Sequence, residues 1–151
     1  RMSVSDLNFE LNWYTSLAQV LQSVKQQVAF SLLRTFVSGW TTSHRMHEVE
    51  LLPCLFGCRD ECDTVCHYIL CSPLWQIAGA ACGFEVPISS STRLCICKAC
   101  AQHVQLLAVV CATYHYTKNR VKELGAFSTV GQNSAQRIAE EASRTFSMHL
   151  T

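Results

Sequence analysis

The stretch C-L-F-G-C-R-D-E-C-D-T-V-C-H-Y-I-L-C, residues 54–71, concentrates the potential metal-binding side chains of this chain. Four of them have the spacing of a closed metal site, Cys54-x3-Cys58-x8-His67-x3-Cys71. A structural zinc ion needs four ligands at tetrahedral corners, and three thiolates with one imidazole supply them. The sequence therefore predicts a CCHC zinc knuckle over residues 54–71, with Cys54, Cys58, His67 and Cys71 as ligands.

Local features of the stretch favour this arrangement. Gly57 has no Cβ, so the backbone between the first two thiols can turn tightly and direct both of them inward. Asp63 or Thr64 can cap a short helix that begins at this point. On such a helix the last two ligands, four residues apart, leave the same face one turn from each other.

Other interpretations of these side chains stay open. Free cysteines are among the most buried residues and pack like small apolar side chains, and disulfides form where the compartment is oxidising. Cys62 and Cys66 have the same helical spacing as His67 and Cys71. Because Cys66 adjoins His67, a helix would point the two about 100° apart, which disfavours a shared metal. We expect Cys62 and Cys66 to stand outside the ligand set or to substitute within it.

Length and composition limit the classes of protein that fit. The 151 residues suffice for one domain with a real core, so we predict a single helical domain over residues 1–151. Residues 1–20 carry Asp6 and Glu10 where a signal peptide would be apolar. Ten cysteines without a signal peptide favour metal and reduced thiols in an intracellular setting over a secreted disulfide framework. The longest apolar run, residues 106–112, has seven residues, against about 20 for a membrane span.

Helical periodicity predicts an all-α fold with the zinc knuckle inserted. Phe30, Leu33, Phe36 and Val37 share one side of a helical stretch over residues 28–40. Whether this stretch continues the preceding helical pattern stays open. Gly39 suits a left-handed cap at its end. Further helices are predicted directly after Thr41-Thr42-Ser43, from Ser72-Pro73, over about residues 93–124 with Ser91 or Thr92 as its cap, and over about residues 133–148.

Two groups of side chains on the predicted 93–124 helix have more than one interpretation. Three cysteines and a histidine recur near its start, at positions 95, 97, 100 and 103, and they are either a second metal site or buried thiols. Lys118, Arg120 and Lys122 lie near its end, where cations offset the helix dipole.

The chain resembles the zinc-binding region found downstream of non-LTR retrotransposon reverse transcriptases. The resemblance covers about residues 28–76, from V-A-F-S-L-L-R-T-F-V-S-G-W-T-T-S-H-R-M-H-E through C-L-F-G-C to H-Y-I-L-C-S-P-L-W. The matching residues are Leu33, Arg34, Gly39, Thr42, Cys54, Cys58, Asp63, Thr64, His67, Cys71, Pro73 and Trp75. The C-x3-C spacing and the added Cys62 and Cys66 depart from the commonest family pattern. The resemblance implies a zinc-stabilised module that helps a retroelement protein hold RNA or target DNA, without polymerase activity.

Catalytic patterns are missing from the sequence. Nucleotidyl transfer needs paired carboxylates that hold two metal ions, and the chain has three aspartates, Asp6, Asp60 and Asp63, none of them adjacent. It has neither a G-x-x-x-x-G-K-[ST] phosphate loop nor a G-x-S-x-G elbow. We therefore expect no enzymatic activity and no small-molecule substrate.

Two functions remain open. The chain is a non-catalytic zinc module that assists RNA or DNA binding, or a zinc-stabilised structural subunit that mediates protein–protein contacts in a larger complex. A net charge of +1 and 49% hydrophobic residues favour the second, and the resemblance favours the first. If nucleic acid binds, the expected contacts are the basic residues around the motif, Arg34, His44, Arg45, His47 and Arg59. A solvated helix face is the ordinary alternative for His44 and His47.

Overall fold

The computed structural model describes residues 4–49, 51–96, 100–124 and 127–149. Within these ranges the regular structure is helical, and the only β pairing is one antiparallel bridge between Pro53 and Cys62. The helices are α1 (Val4–Ser23), α2 (Gln26–Phe36), α3 (Val65–Leu70), α4 (Ser72–Cys82), α5 (Ser90–Arg93), α6 (Ala101–Glu123) and α7 (Phe127–Met148). The predicted all-α class is confirmed.

The helix α6 lies at the centre of the fold. It packs against α7, α2 and α4 and buries every side chain from residue 106 to residue 111, as expected for a helix that is apolar nearly all round. It begins at Ala101 rather than near residue 93, because the chain takes a positive φ of 58° at Cys95 between α5 and α6. None of the helices in the described ranges is long and apolar enough to span a bilayer.

Helix α2 turns an unexpected face to the core. It is separate from α1, and its buried residues are Val28, Leu32 and Thr35. The side that carries Phe30 and Leu33 is exposed. Helix α2 therefore has two apolar stripes, and packing against α6 selects the one with smaller and less aromatic side chains. On that side Phe36 contacts Trp13 of α1, with ring centroids 6.2 Å apart. Phe30, Leu33 and Val37 are exposed, and we call these three the outer stripe.

The turn after α2 also differs from the prediction. The left-handed residue is Ser38, with φ of 51°, and not Gly39. Gly39 is needed for space, because a Cβ there would lie 2.7 Å from Cγ and 2.9 Å from the carbonyl oxygen of Arg34. The amide of Gly39 donates a 2.6 Å hydrogen bond to the same carbonyl oxygen. Gly39 thus closes the end of α2 through close backbone contact.

The prediction of a short helix after Thr41-Thr42-Ser43 is wrong. Residues 43–47 form hydrogen-bonded turns, with the amide of Met46 donating to the carbonyl of Thr42 and that of Glu48 to the carbonyl of Ser43. His47 has a φ of 52°, which stops helix propagation. We call residues 41–48 the basic loop, since they carry His44, Arg45 and His47.

The remaining boundaries shift by a few residues. Helix α4 begins at Ser72 with Pro73 in its first turn, as predicted, and Gly83 closes it with φ of 67°. The cap of α5 is Ser89, whose Oγ accepts a 3.2 Å hydrogen bond from the amide of Thr92, and not Ser91 or Thr92. Helix α7 begins at Phe127, earlier than residue 133.

Candidate metal centre and adjoining basic groove

A small pairing of backbone segments brings the first two candidate ligands into place. The amide of Cys54 donates to the carbonyl of Glu61 at 2.8 Å, and the amide of Asp63 donates to that of Leu52 at 2.8 Å. Between Cys54 and Glu61 the chain must reverse direction. Gly57 lies in this turn with a φ of 87°, a conformation in which glycine has no steric penalty. The predicted tight turn between Cys54 and Cys58 is therefore present.

Helix α3 positions the other two candidate ligands. The side chain of Thr64 caps the helix, because its Oγ1 accepts a 3.1 Å hydrogen bond from the amide of His67. His67 lies on α3, but Cys71 lies one residue beyond its end, in the linker between α3 and α4. The prediction that both side chains leave one helical face is therefore wrong. The non-helical backbone at Cys71, between α3 and α4, brings its thiol into the cluster.

The four side chains converge at one point. The candidate ligand atoms of Cys54, Cys58, His67 and Cys71 all lie within 4.8 Å of one another. The Sγ atom of Cys71 is 3.8 Å from that of Cys54 and 3.6 Å from that of Cys58. Metal–sulfur bonds of about 2.3 Å in a tetrahedron place sulfur atoms about 3.8 Å apart. The spacing of the three thiols is therefore compatible with a tetrahedral metal site.

The imidazole of His67 has the orientation of a metal ligand. Its Nε2 atom is buried and has no hydrogen-bond partner, which is costly unless something binds there. Its Nδ1 atom lies 3.2 Å from Oε2 of Glu61. A proton on Nδ1 satisfies that carboxylate and leaves the Nε2 lone pair free for a metal ion. Glu61 was missed by sequence reasoning, since a carboxylate six residues before a histidine carries no specific signal.

The thiols are electrostatically unequal. A hydrogen bond from the Cys71 thiol, together with the amide of Phe56, lowers the pKa of Cys54 despite its burial. The pKa of Cys71 is raised because its thiol donates a hydrogen bond to Cys54 and is buried. Burial also raises the pKa of Cys58. One thiolate is thus preferred in the absence of metal. A metal ion must displace protons from the other two thiols, so its affinity increases with pH.

The other described cysteines lie outside this cluster. Cys62 and Cys66 are both exposed, and no described cysteine forms a disulfide. Of the second group of possible ligands, Cys95 and Cys100 precede α6 and His103 lies on it, whereas Cys97 lies outside the described residues. In the described ranges, the four-residue cluster is the only group of three or more potential metal ligands.

A groove runs beside the metal cluster, between the basic loop and the start of α3. It has a volume of about 520 Å³ and is lined by Ser38, Thr42, His44, Arg45, His47, Thr64, Val65 and Cys66. Three of the five basic residues singled out from the sequence therefore meet there. Arg34 on α2 and Arg59 in the knuckle are exposed but do not line the groove. We call this feature the basic groove.

A buried charge pair, which sequence reasoning missed, supports both the cluster and the groove. Asp63 is fully buried, and its carboxylate accepts hydrogen bonds from Nζ of Lys118 at 2.8 Å, from the Tyr114 hydroxyl at 2.9 Å and from the Ser43 amide at 2.6 Å. Lys118 also donates to the carbonyl of Thr41 at 2.7 Å. Lys118 therefore does not serve mainly to offset the dipole of α6, and Asp63 does not cap α3. Together they join the segment 54–71, the basic loop and α6.

An aromatic cluster packs beneath this network. The rings of Trp40 and Tyr114 stack at 5.0 Å, and Tyr68 lies 4.5 Å from Tyr114 and 6.2 Å from Trp40. All three residues are fully buried. Since Trp40 follows α2, Tyr68 lies on α3 and Tyr114 on α6, the aromatic cluster packs α3 against the central helix.

Comparison of the chain with protein-family models, with curated proteins and with solved structures gives no match.

Replacing Glu61 tests the orientation of His67. We expect Glu61→Ala to weaken metal binding by about 10–100-fold, the usual cost of losing the partner of a ligating histidine. The measurement is competition for zinc against a chromophoric chelator. Asp60→Asn is the matched control, because it removes a carboxylate from the adjacent exposed position without touching His67. Equal affinities of the two variants would show that Glu61 does not orient the imidazole.

Proposed function

We propose that this chain is a non-catalytic zinc-binding module of a retrotransposon-derived protein and that it assists RNA or DNA binding. The observation that carries the proposal is the position of the basic groove directly beside the four-ligand cluster, with α3 contributing to both. The metal would organise the segment that forms one wall of the groove. The resemblance of residues 28–76 to the zinc-binding region of such proteins agrees with this role.

Zinc is the metal that the donor set favours. Three thiolates select soft or borderline ions, and one imidazole completes the tetrahedral set typical of structural zinc sites. All four positions are supplied by the protein, so none is left for a substrate or an activated water. The proposal therefore assigns the metal a structural role and includes no catalytic step.

The charge around the groove favours an anionic partner. Of its eight lining residues one is an arginine, two are histidines and none is acidic. Arg45 offers a planar guanidinium suited to paired hydrogen bonds with a phosphate. The net charge of +1 implies that attraction is local rather than spread over the whole surface. Binding should therefore be moderate and strongly dependent on salt.

Substitution of Arg34 and Arg45 by alanine tests this function. We expect the double variant to bind a single-stranded RNA or DNA more weakly, and the slope of log affinity against log salt to fall by about 1.4, since the two expected phosphate contacts are lost. The measurement is fluorescence anisotropy over about 50–200 mM salt. Arg137→Ala with Arg144→Ala, on α7, is the charge-matched control. A parent protein that binds no nucleic acid even at low salt would overturn the proposal.

A second candidate function, contact with other proteins, is favoured by the outer stripe of α2. Phe30 is 58% exposed and Leu33 46% exposed, and Val37 beyond the helix end is 74% exposed. These residues recur at i, i+3 and i+7, so they form a continuous apolar edge. Under this function Phe30→Ser with Val37→Ser would abolish partner capture and leave metal content unchanged, whereas the Arg34/Arg45 double variant would not abolish capture.

A further inference from the structure

The basic groove is a partly open cleft. It is lined by Thr42, Val65 and Cys66 and by His44, Arg45 and His47, and we call these last three its rim. The volume of about 520 Å³ falls within the range of about 300–1,000 Å³ that is usual for sites binding small molecules. Such a recess accepts one or two nucleotides, but it is too small for a double helix to enter.

Hydrogen bonds hold the basic loop in place beside the groove. The Ser43 amide donates to Asp63 at 2.6 Å, and the Ser43 hydroxyl accepts from the amide of Leu52 at 3.2 Å. The carbonyl of Thr41 accepts from Lys118 at 2.7 Å. The Thr42 hydroxyl accepts from the amide of Arg45 at 3.3 Å, which fixes the backbone at the rim. A pre-organised rim lowers the entropy cost of binding.

We propose that the basic groove takes an unpaired nucleotide of a single-stranded RNA or DNA. The phosphate lies at the rim against Arg45, with His44 and His47 beside it, and the base enters the recess and contacts Val65 and Cys66. A base within a duplex cannot enter a cleft of this size unless it unpairs and unstacks, which costs free energy. The groove therefore discriminates between single strands and duplexes. This inference rests on the proposed function and assigns its substrate class.

The experiment compares four probes on the zinc-loaded protein at one low salt concentration. The probes are a labelled oligothymidylate, a labelled oligouridylate, an abasic strand of the same length and a duplex of the same length. We expect both single strands to bind about tenfold more tightly than the duplex and the abasic strand, because the duplex must first unpair a base and the abasic strand has none to place in the groove. Oligouridylate and oligothymidylate distinguish RNA from DNA as the source of the nucleotide.

Two protein variants test whether the bound strand occupies the groove. Cys66→Glu places a carboxylate in the groove, and Cys62→Glu places the same charge at an exposed thiol outside it. Both variants are first checked for one zinc ion per chain. We expect Cys66→Glu to lose about tenfold in single-strand affinity and Cys62→Glu to lose little, since a carboxylate repels phosphate only at short range in salt.

The outcomes separate this inference from the function on which it rests. Equal binding of duplex, abasic and single strands would overturn the inference and leave nucleic-acid binding in place. Equal losses of affinity in Cys66→Glu and Cys62→Glu would also overturn the inference and leave nucleic-acid binding in place. Failure of the parent protein to bind any of the four probes would overturn both.

Discussion

Cys54→Ser abolishes the metal site and the cooperative fold of the chain; this is the largest effect that we expect. Its thiol is fully buried and lies 3.8 Å from that of Cys71, inside the cluster of four candidate ligands. Structural zinc contributes about 10–16 kcal/mol in zinc-finger peptides, whereas whole domains are stable by about 5–15 kcal/mol. Loss of the metal should therefore leave little folded protein. Metal content by mass spectrometry and thermal unfolding by circular dichroism measure the two effects.

The remaining ligands and the nearby thiols supply the controls. His67→Ala should also lose the metal, whereas Cys62→Ser and Cys66→Ser should each keep one zinc ion per chain, because both thiols are exposed and outside the cluster. Stoichiometric zinc in the His67→Ala protein would contradict the assignment. Loss of zinc in Cys66→Ser would show that Cys66 is a ligand and that the assigned set of four is wrong.

Lys118→Ala should destabilise the protein by about 3–5 kcal/mol, because it leaves the carboxylate of Asp63 buried without its cation. The side chain of Lys118 is 5% exposed and that of Asp63 is fully buried, so water cannot replace the lost partner. The free energy of unfolding in urea, measured with zinc present, gives the magnitude. Binding to nucleic acid should weaken as well, since the same lysine holds the Thr41 carbonyl at the base of the basic loop.

Lys122→Ala is the matched control for this variant. Lys122 lies four residues further along α6 and pairs with Glu48 at 3.5 Å, but its side chain is 71% exposed. An exposed pair contributes only about 0.2–1 kcal/mol. If Lys118→Ala and Lys122→Ala cost the same, the buried pair does not stabilise the fold. Partial recovery of stability when Asp63→Asn is added to Lys118→Ala would confirm that the unpaired carboxylate causes the loss.

Local patterns predicted most of the helical framework and the candidate metal cluster. The sequence Ser72-Pro73 marks the start of α4, and the apolar run at residues 106–112 marks the buried centre of α6. The predicted ligands Cys54, Cys58, His67 and Cys71 do meet. The errors fall where two local solutions compete. Helical spacing could not show that the chain takes left-handed conformations at Ser38, His47 and Cys95, which interrupt helical patterns.

The sequence by itself determined the helical class and the four side chains that converge, because turn residues, helix caps and ligand spacing act over a few positions. Only the tertiary structure decided which stripe of α2 is buried, since both are apolar and α6 selects between them. It alone joined Asp63 to Lys118, which are 55 residues apart in the chain. A buried charge needs a partner of opposite charge, and tertiary packing supplies it from a distant part of the chain. No local sequence pattern therefore predicts the pair.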